Sequence, residues 1–192
     1  MAPPVPAELP ERMQSAFTDL HASRLYGFAL IVALGERRTA ARAAADALLG
    51  ALTRVDELRH PERAAAWLRH EVLRDLHAGR LPVGIDRARL ASLEAQGVTR
   101  PATWGLAALS LDQRAALVAA DVERFAPADV ERVVGRGPAA TMRLLAEARE
   151  RYVVSATRHL PDPEPEVRLL DGPVGRRVAE LASGGIGRGW FP

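Results

Sequence analysis

The chain has 192 residues, with 48% hydrophobic and 26% charged side chains and a formal net charge of +2. This composition is typical of a globular protein. The chain contains no cysteine, which excludes a disulfide bond and a thiolate metal site. All 26 basic residues are arginine, so the sequence pI of about 9.8 reflects the high pKa of guanidinium groups and not a strong positive field at neutral pH.

Only 5% of the residues are aromatic, so leucine, valine and alanine must form the core. Windows rich in alanine and leucine that contain few isoleucine, tyrosine or phenylalanine residues favour helices over strands. We therefore expect an all-α protein. The N-terminal residues lack a basic start followed by an apolar run, and no segment approaches the roughly 18 apolar residues of a membrane span. We expect a cytoplasmic protein that does not contact a membrane.

Residues 11–80 contain three segments with helical periodicity, which predict a first helical domain. The first segment runs from about Glu11 to Gly35, the second is RTAARAAADALLGALTRV, and the third, AAAWLRHEVLRDLHAG, follows Pro61 and stops near Gly79. The ten residues before this domain are rich in proline and predict a frayed end.

Residues 81–102 contain four helix-breaking residues, Pro82, Gly84, Gly97 and Pro101. They enclose one short helical pattern, DRARLASLEAQ, for which Asp86 is a suitable N-cap. We interpret this stretch as an interdomain linker.

Residues 103–158 predict a second domain with three helical segments, LSLDQRAALVAADVERF, PADVERVVG and PAATMRLLAEARERYVVSA. Gly135 closes the middle segment, so the last two form a helix-turn-helix, the layout that places its second helix in the major groove of DNA. The remaining residues, 159–192, form a tail with an acidic, proline-rich start and one candidate helix near 173–182. Trp190 and Phe191 at its end would dock on the protein's own helices or on a partner, unless the tail is disordered.

The second domain resembles the C-terminal helix-turn-helix of sigma-70 family factors of the extracytoplasmic-function type. LSLDQRAALVAADVERFAPADVERVVGRGPAATMRLLAEAR aligns with the family pattern without a gap, and the matching positions are Leu109, Gln113, Arg114, Leu117, Phe125, Val130, Gly135, Leu145, Ala148 and Arg149. In the first domain, RLYGFALIVALGERRTAARAAADALLGAL is similar to the family segment that opens with Leu-Tyr. AAAWLRHEVL resembles the family's Ala-Trp-Leu opening of the next helix.

The resemblance implies a region 2-like helical bundle and a region 4-like helix-turn-helix that associate with the RNA polymerase core and direct promoter recognition. It implies that promoter DNA is bound by Arg136, Arg143, Arg149, Arg59 and Arg63, and that the polymerase is bound by Arg42, Asp46 and Leu49. An anti-sigma factor or another regulatory protein is a further candidate partner. No cofactor and no small-molecule substrate is implied.

The charge of the second domain leaves an alternative open. Residues 103–158 contain eight arginines and seven acidic residues, a net charge of +1, whereas duplex binding draws most of its affinity from an excess of basic groups. Met142, Leu144 and Glu147 also stand where the family commonly has basic or polar residues. The alternative is a divergent sigma-fold protein that has lost strong DNA binding and regulates through protein interactions.

An enzymatic function is not expected. His70 and Glu71 begin the pattern of a zinc protease, but Arg74 occupies the position of the second histidine ligand. The glycine-rich SGGIGRG near the C-terminus is not followed by a helix whose N-terminus would bind a phosphate.

Overall fold

The computed structural model describes residues 8–54, 61–79, 81 and 84–159, and of residues 8–13, 61 and 62 the backbone alone. Within these ranges there is no strand, which confirms the predicted all-α class. The helices are α1 (Glu8–Val32), α2 (Arg37–Leu52), α3 (Pro61–Ala78), α4 (Arg87–Glu94), α5 (Arg100–Ala107), α6 (Leu111–Leu117), α7 (Pro127–Val134) and α8 (Pro138–Thr157). The candidate helix near 173–182 and the tail residues Trp190 and Phe191 lie outside the described residues.

The first three helices follow the predicted segments closely. The chain reverses after α1 through Leu34 and Gly35, both with positive φ (52° and 79°), and the Glu36 carboxylate then caps α2 by accepting the amide of Thr39 at 2.6 Å. The buried face of α2 is almost entirely alanine, Ala40, Ala43, Ala44, Ala47 and Ala51 with Leu48. These small side chains let α1 and α3 approach α2 closely.

The stretch predicted as a linker contains α4 and the first turn of α5. Asp86 caps α4 as expected, since its carboxylate accepts the amide of Arg89 at 2.8 Å. The guanidinium of Arg89 donates to the carbonyls of Ala33 and Leu34, so α4 is attached to the end of α1. Residues 81–102 are therefore packed against the first helices along part of their length.

Helix α5 was not predicted from the sequence. Thr99 caps it by accepting the amide of Ala102, and Pro101 lies in its first turn. Gly105 lies against the ring of Tyr152 on α8, where an added Cβ would stand 2.6 Å from the ring carbons. The absence of a side chain at this position therefore allows α5 to pack closely along α8.

The segment predicted as one helix over 109–125 is divided. It begins at a capping box between Ser110 and Gln113, continues as α6, and widens into a π-turn over Val118–Val122. Arg124, with φ of 59°, ends it.

The last two helices have the predicted helix-turn-helix connection. Gly135, in the left-handed conformation, terminates α7, and Pro138 opens α8.

The buried apolar residues of all eight helices form one contiguous cluster. Helix α3 of the first predicted domain packs against α7 of the second, and α1 contacts α6 and the π-turn. The predicted division into domains 11–80 and 103–158 stays a prediction. None of the helices in the described part of the chain is long and apolar enough to cross a membrane.

Candidate nucleic-acid interface

The second helix of the helix-turn-helix is buried on one face and open to solvent on the other. Its buried residues recur at helical spacing and face α5 and α6: Thr141, Leu144, Ala148, Tyr152 and Ala156. The Leu144 residue is 9% exposed to solvent, whereas Met142 is 73% exposed. Leu144 is thus a core residue, and Met142 is a large apolar side chain on the open face.

Arg143 lies on this open face and makes no hydrogen bond or ion pair with the described residues. Glu147, one turn further along α8, is also exposed. The small side chains of Ala139 and Ala146 are exposed on this helix as well, and Arg151, two turns beyond Arg143, is a second exposed arginine.

Arg136, in the turn before α8, is held by an internal carboxylate. Its Nη2 donates to Asp112 at the start of α6, and Asp112 also accepts from Nε2 of His77 at 2.6 Å. One carboxylate therefore links the end of α3, the start of α6 and the turn of the helix-turn-helix.

Arg149 is held in the same way. Its Nε and Nη2 donate to the two carboxylate oxygens of Asp121 in the π-turn at 3.0 and 2.5 Å, and these hydrogen bonds raise the pKa of Arg149. Arg149 follows Arg143 by six residues, which places the two side chains roughly 120° apart around α8. The three arginines predicted to read DNA therefore do not converge on one face.

The pairing carboxylates were not identified from the sequence. In the sequence, Asp112 and Asp121 count only among the seven acidic residues of the second domain. The partners lie 24 and 28 residues apart along the chain, and no local pattern predicts such pairs.

Of the two predicted DNA-binding residues in the first domain, Arg63 lies exposed on the first turn of α3. Arg59 lies outside the described residues. His70 is the first residue of the incomplete zinc-protease pattern. It lies between α3 and α7, and its Nδ1 is 3.2 Å from the carbonyl oxygen of Val133. Among the described residues no three histidine, aspartate or glutamate side chains are grouped to hold a metal ion.

The residues predicted to bind the polymerase share one exposed face of α2. Arg42, Asp46 and Leu49 follow one another at spacings of four and three, and all three are exposed, Leu49 by 62%. Arg42 makes one ion pair, to Asp75 on α3 at 3.3 Å. The structure thus brings these three residues together on a surface that is open to a partner.

The fold and these surfaces define an all-helical protein with an exposed helix-turn-helix and a separate exposed face on α2. Comparison of the chain with protein-family models, with curated proteins and with solved structures finds no match.

Proposed function

We propose that the protein is an extracytoplasmic-function sigma factor or a close relative, which associates with the RNA polymerase core and directs promoter recognition in the cytoplasm. The observation that carries this proposal is the register of α8. Leu144 is turned into the core, while Arg143 lies on the outer face together with Met142, Ala139 and Ala146. A reading helix requires this division between a packed and an open face.

The ion pairs of Arg136 and Arg149 are compatible with DNA binding. Both arginines are about half exposed in these pairs, and exposed pairs contribute only about 0.2–1 kcal/mol. A phosphate is a strong acceptor for guanidinium groups, so the backbone of DNA can replace Asp112 or Asp121 as the partner.

The exposed face of α2 supports the association with polymerase. Leu49 offers an apolar contact beside two charged groups, Arg42 and Asp46, a combination that suits a protein partner better than open solvent. The face is also distinct from the open face of α8, so both can be occupied at once.

The proposal is tested by reconstitution with core RNA polymerase from the source organism. Genomic fragments retained by the complex are selected, and their binding is followed by fluorescence anisotropy over a salt series. Arg143→Ala should weaken binding about 5- to 100-fold if it contacts a base edge, or reduce the salt slope by about 1 if it contacts a phosphate. The matched control is Arg74→Ala, which removes an exposed arginine of α3 and should leave binding unchanged.

A second candidate function is favoured by Met142. A side chain without a hydrogen-bond donor, 73% exposed on the outer face of α8, suits a protein partner, and the pairing of Arg136 and Arg149 lowers the positive charge beside it. In this case the chain is a sigma-fold regulator that acts through protein contacts, such as with an anti-sigma factor. Failure to bind polymerase or DNA, together with a partner lost on Met142→Lys, would replace the first proposal by this one.

A further inference from the structure

Glu147 is an exposed carboxylate on α8 that makes no hydrogen bond or ion pair with the described residues. It follows Arg143 by four residues and precedes Arg151 by four, so both guanidinium groups are its neighbours on the helix surface. Neither pairs with it, whereas Arg136 and Arg149 of the same helix-turn-helix are each bound to an aspartate. Glu147 therefore presents a hydrogen-bond acceptor to the surroundings of the outer face.

A carboxylate on a face that meets DNA lowers the affinity unless it contacts a hydrogen-bond donor. The DNA backbone carries negative charge and offers no strong donor, so Glu147 is repelled by phosphates. In the major groove the donors are the amino groups at N4 of cytosine and N6 of adenine. On adenine the acceptor N7 lies beside N6 and repels a carboxylate, so cytosine is the base edge that suits Glu147.

Arg143 and Glu147 together place a donor and an acceptor on one side of α8. Four residues correspond to a rise of about 6 Å along the helix, close to two base-pair steps of about 3.4 Å each. The guanidinium of Arg143 suits the O6 and N7 acceptors of guanine. A helix lying in the major groove can thus contact a guanine through Arg143 and a cytosine through Glu147 about two base pairs apart.

We infer that Glu147 is a specificity-determining residue of the helix-turn-helix, which selects cytosine about two base pairs from a guanine contacted by Arg143. This inference rests on the proposed function, because it requires the outer face of α8 to enter the major groove. It also gives a role to the low positive charge of this surface. The carboxylate weakens binding to sequences without the cytosine and so widens the difference between the correct site and the others.

The test uses the full chain in complex with core RNA polymerase and the DNA fragments that this complex retains. Each base pair of the recognised segment is replaced in turn by the other three, and binding is followed by fluorescence anisotropy at fixed salt. The wild type should prefer cytosine at one position by about 5- to 100-fold. Glu147→Gln should transfer this preference to adenine, because a glutamine amide donates to N7 and accepts from N6 of adenine.

Two further variants separate base recognition from the loss of a charge. Glu131→Gln removes a carboxylate of α7, the helix that crosses the DNA backbone in this motif, and should raise binding to all sequences alike. Arg143→Ala should remove the guanine preference and leave the cytosine preference in place.

The inference is wrong if no position prefers cytosine, or if Glu147→Gln raises the affinity for all four bases equally, as removal of a charge alone would do. A guanine preference that depends on Arg143, without any base preference that depends on Glu147, overturns this inference and leaves the proposed function standing. A complex that retains no DNA fragment overturns both.

Discussion

The buried ion pair between Arg69 and Glu123 should be the most sensitive single contact of the fold. It joins α3 to the residue that follows the π-turn, with donor-to-acceptor distances of 2.7 and 2.5 Å, and the two side chains are only 2% and 6% exposed. The rings of Phe28 and Phe125 lie 5.8 and 5.1 Å from the guanidinium carbon, so the charge has little access to water.

Removing one partner leaves an uncompensated buried charge, whereas replacing both by apolar groups does not. We therefore expect Glu123→Leu to lower the free energy of unfolding by about 3–5 kcal/mol, and Arg69→Met combined with Glu123→Leu to recover most of that loss. The single change corresponds to a fall in Tm of about 6–20 °C for a chain of this size.

Urea unfolding of the wild type, both single variants and the double variant, followed by circular dichroism, gives the coupling free energy of the pair. The matched control is the exposed pair of Arg100 and Glu94, where Glu94→Leu should cost less than about 1 kcal/mol. A loss below about 1 kcal/mol for Glu123→Leu, or a double variant as unstable as the single one, would refute the reasoning.

Three further predictions concern the candidate interface, its turn and the core. Asp112→Asn and Asp121→Asn should each raise DNA affinity about 1.5- to 5-fold in the anisotropy assay, because they release Arg136 and Arg149 from exposed ion pairs; unchanged or weaker binding contradicts this. Gly135→Ala should destabilise the fold by about 1–3 kcal/mol in urea unfolding, because φ is +65° and the new Cβ would lie 3.1 Å from the His70 ring. His21 is buried, and burial, with the charges of Arg69 and Arg24, lowers its pKa to about 4. The unfolded state thus binds this proton more tightly, and stability should fall by up to about 3 kcal/mol as pH drops from 6.5 towards 4; His21→Gln should flatten this dependence, and an unchanged profile would assign it to other groups.

Much of the helical architecture was predictable because its signals are local. Asp86 and Gly135 mark a helix start and a helix end through contacts within a few residues, and the structure confirms both. Pro61 and Pro138 open helices as their position predicts. The backbone N–H and C=O groups at a helix terminus have no hydrogen-bond partner within the helix. Neighbouring residues must supply these partners whatever the helix packs against, so the sequence marks the boundary locally.

The missed helix α5 shows where local signals fail. Its segment, RPATWGLA, contains Gly105, and its first three residues lie in the proline- and glycine-containing stretch 81–102 that we interpret as a linker. It is nevertheless a helix, because the glycine admits the Tyr152 ring and α8 covers its buried face. Tertiary packing therefore outweighs the low helix propensity of this segment. The residue that packs against Gly105 is Tyr152, which lies almost fifty residues further along the chain.

The candidate interface was likewise predictable only in part. That α8 begins at Pro138 and follows a glycine turn was predictable, but the exposure of Met142 and the burial of Leu144 depend on how α5 and α6 cover the helix. Periodicity allows several registers for a helix with apolar residues at 142, 144 and 145, and only the packed structure selects one of them.

The register of α8 limits how strongly the proposed sigma factor can bind DNA through its helix-turn-helix alone. Arg143 and Arg151 are the exposed arginines of α8 that make no ion pair with a described residue, and Met142 offers only apolar contact. The helix-turn-helix by itself therefore has few groups for binding duplex DNA. Its affinity would come mainly from being held near the promoter by polymerase bound to the face of α2, which raises the local concentration of the helix without any new DNA contact. Leu49→Asp on that face should then weaken promoter retention by the complex while leaving the DNA affinity of the isolated chain unchanged. Equal losses in the two measurements would show that the α2 face does not act through polymerase.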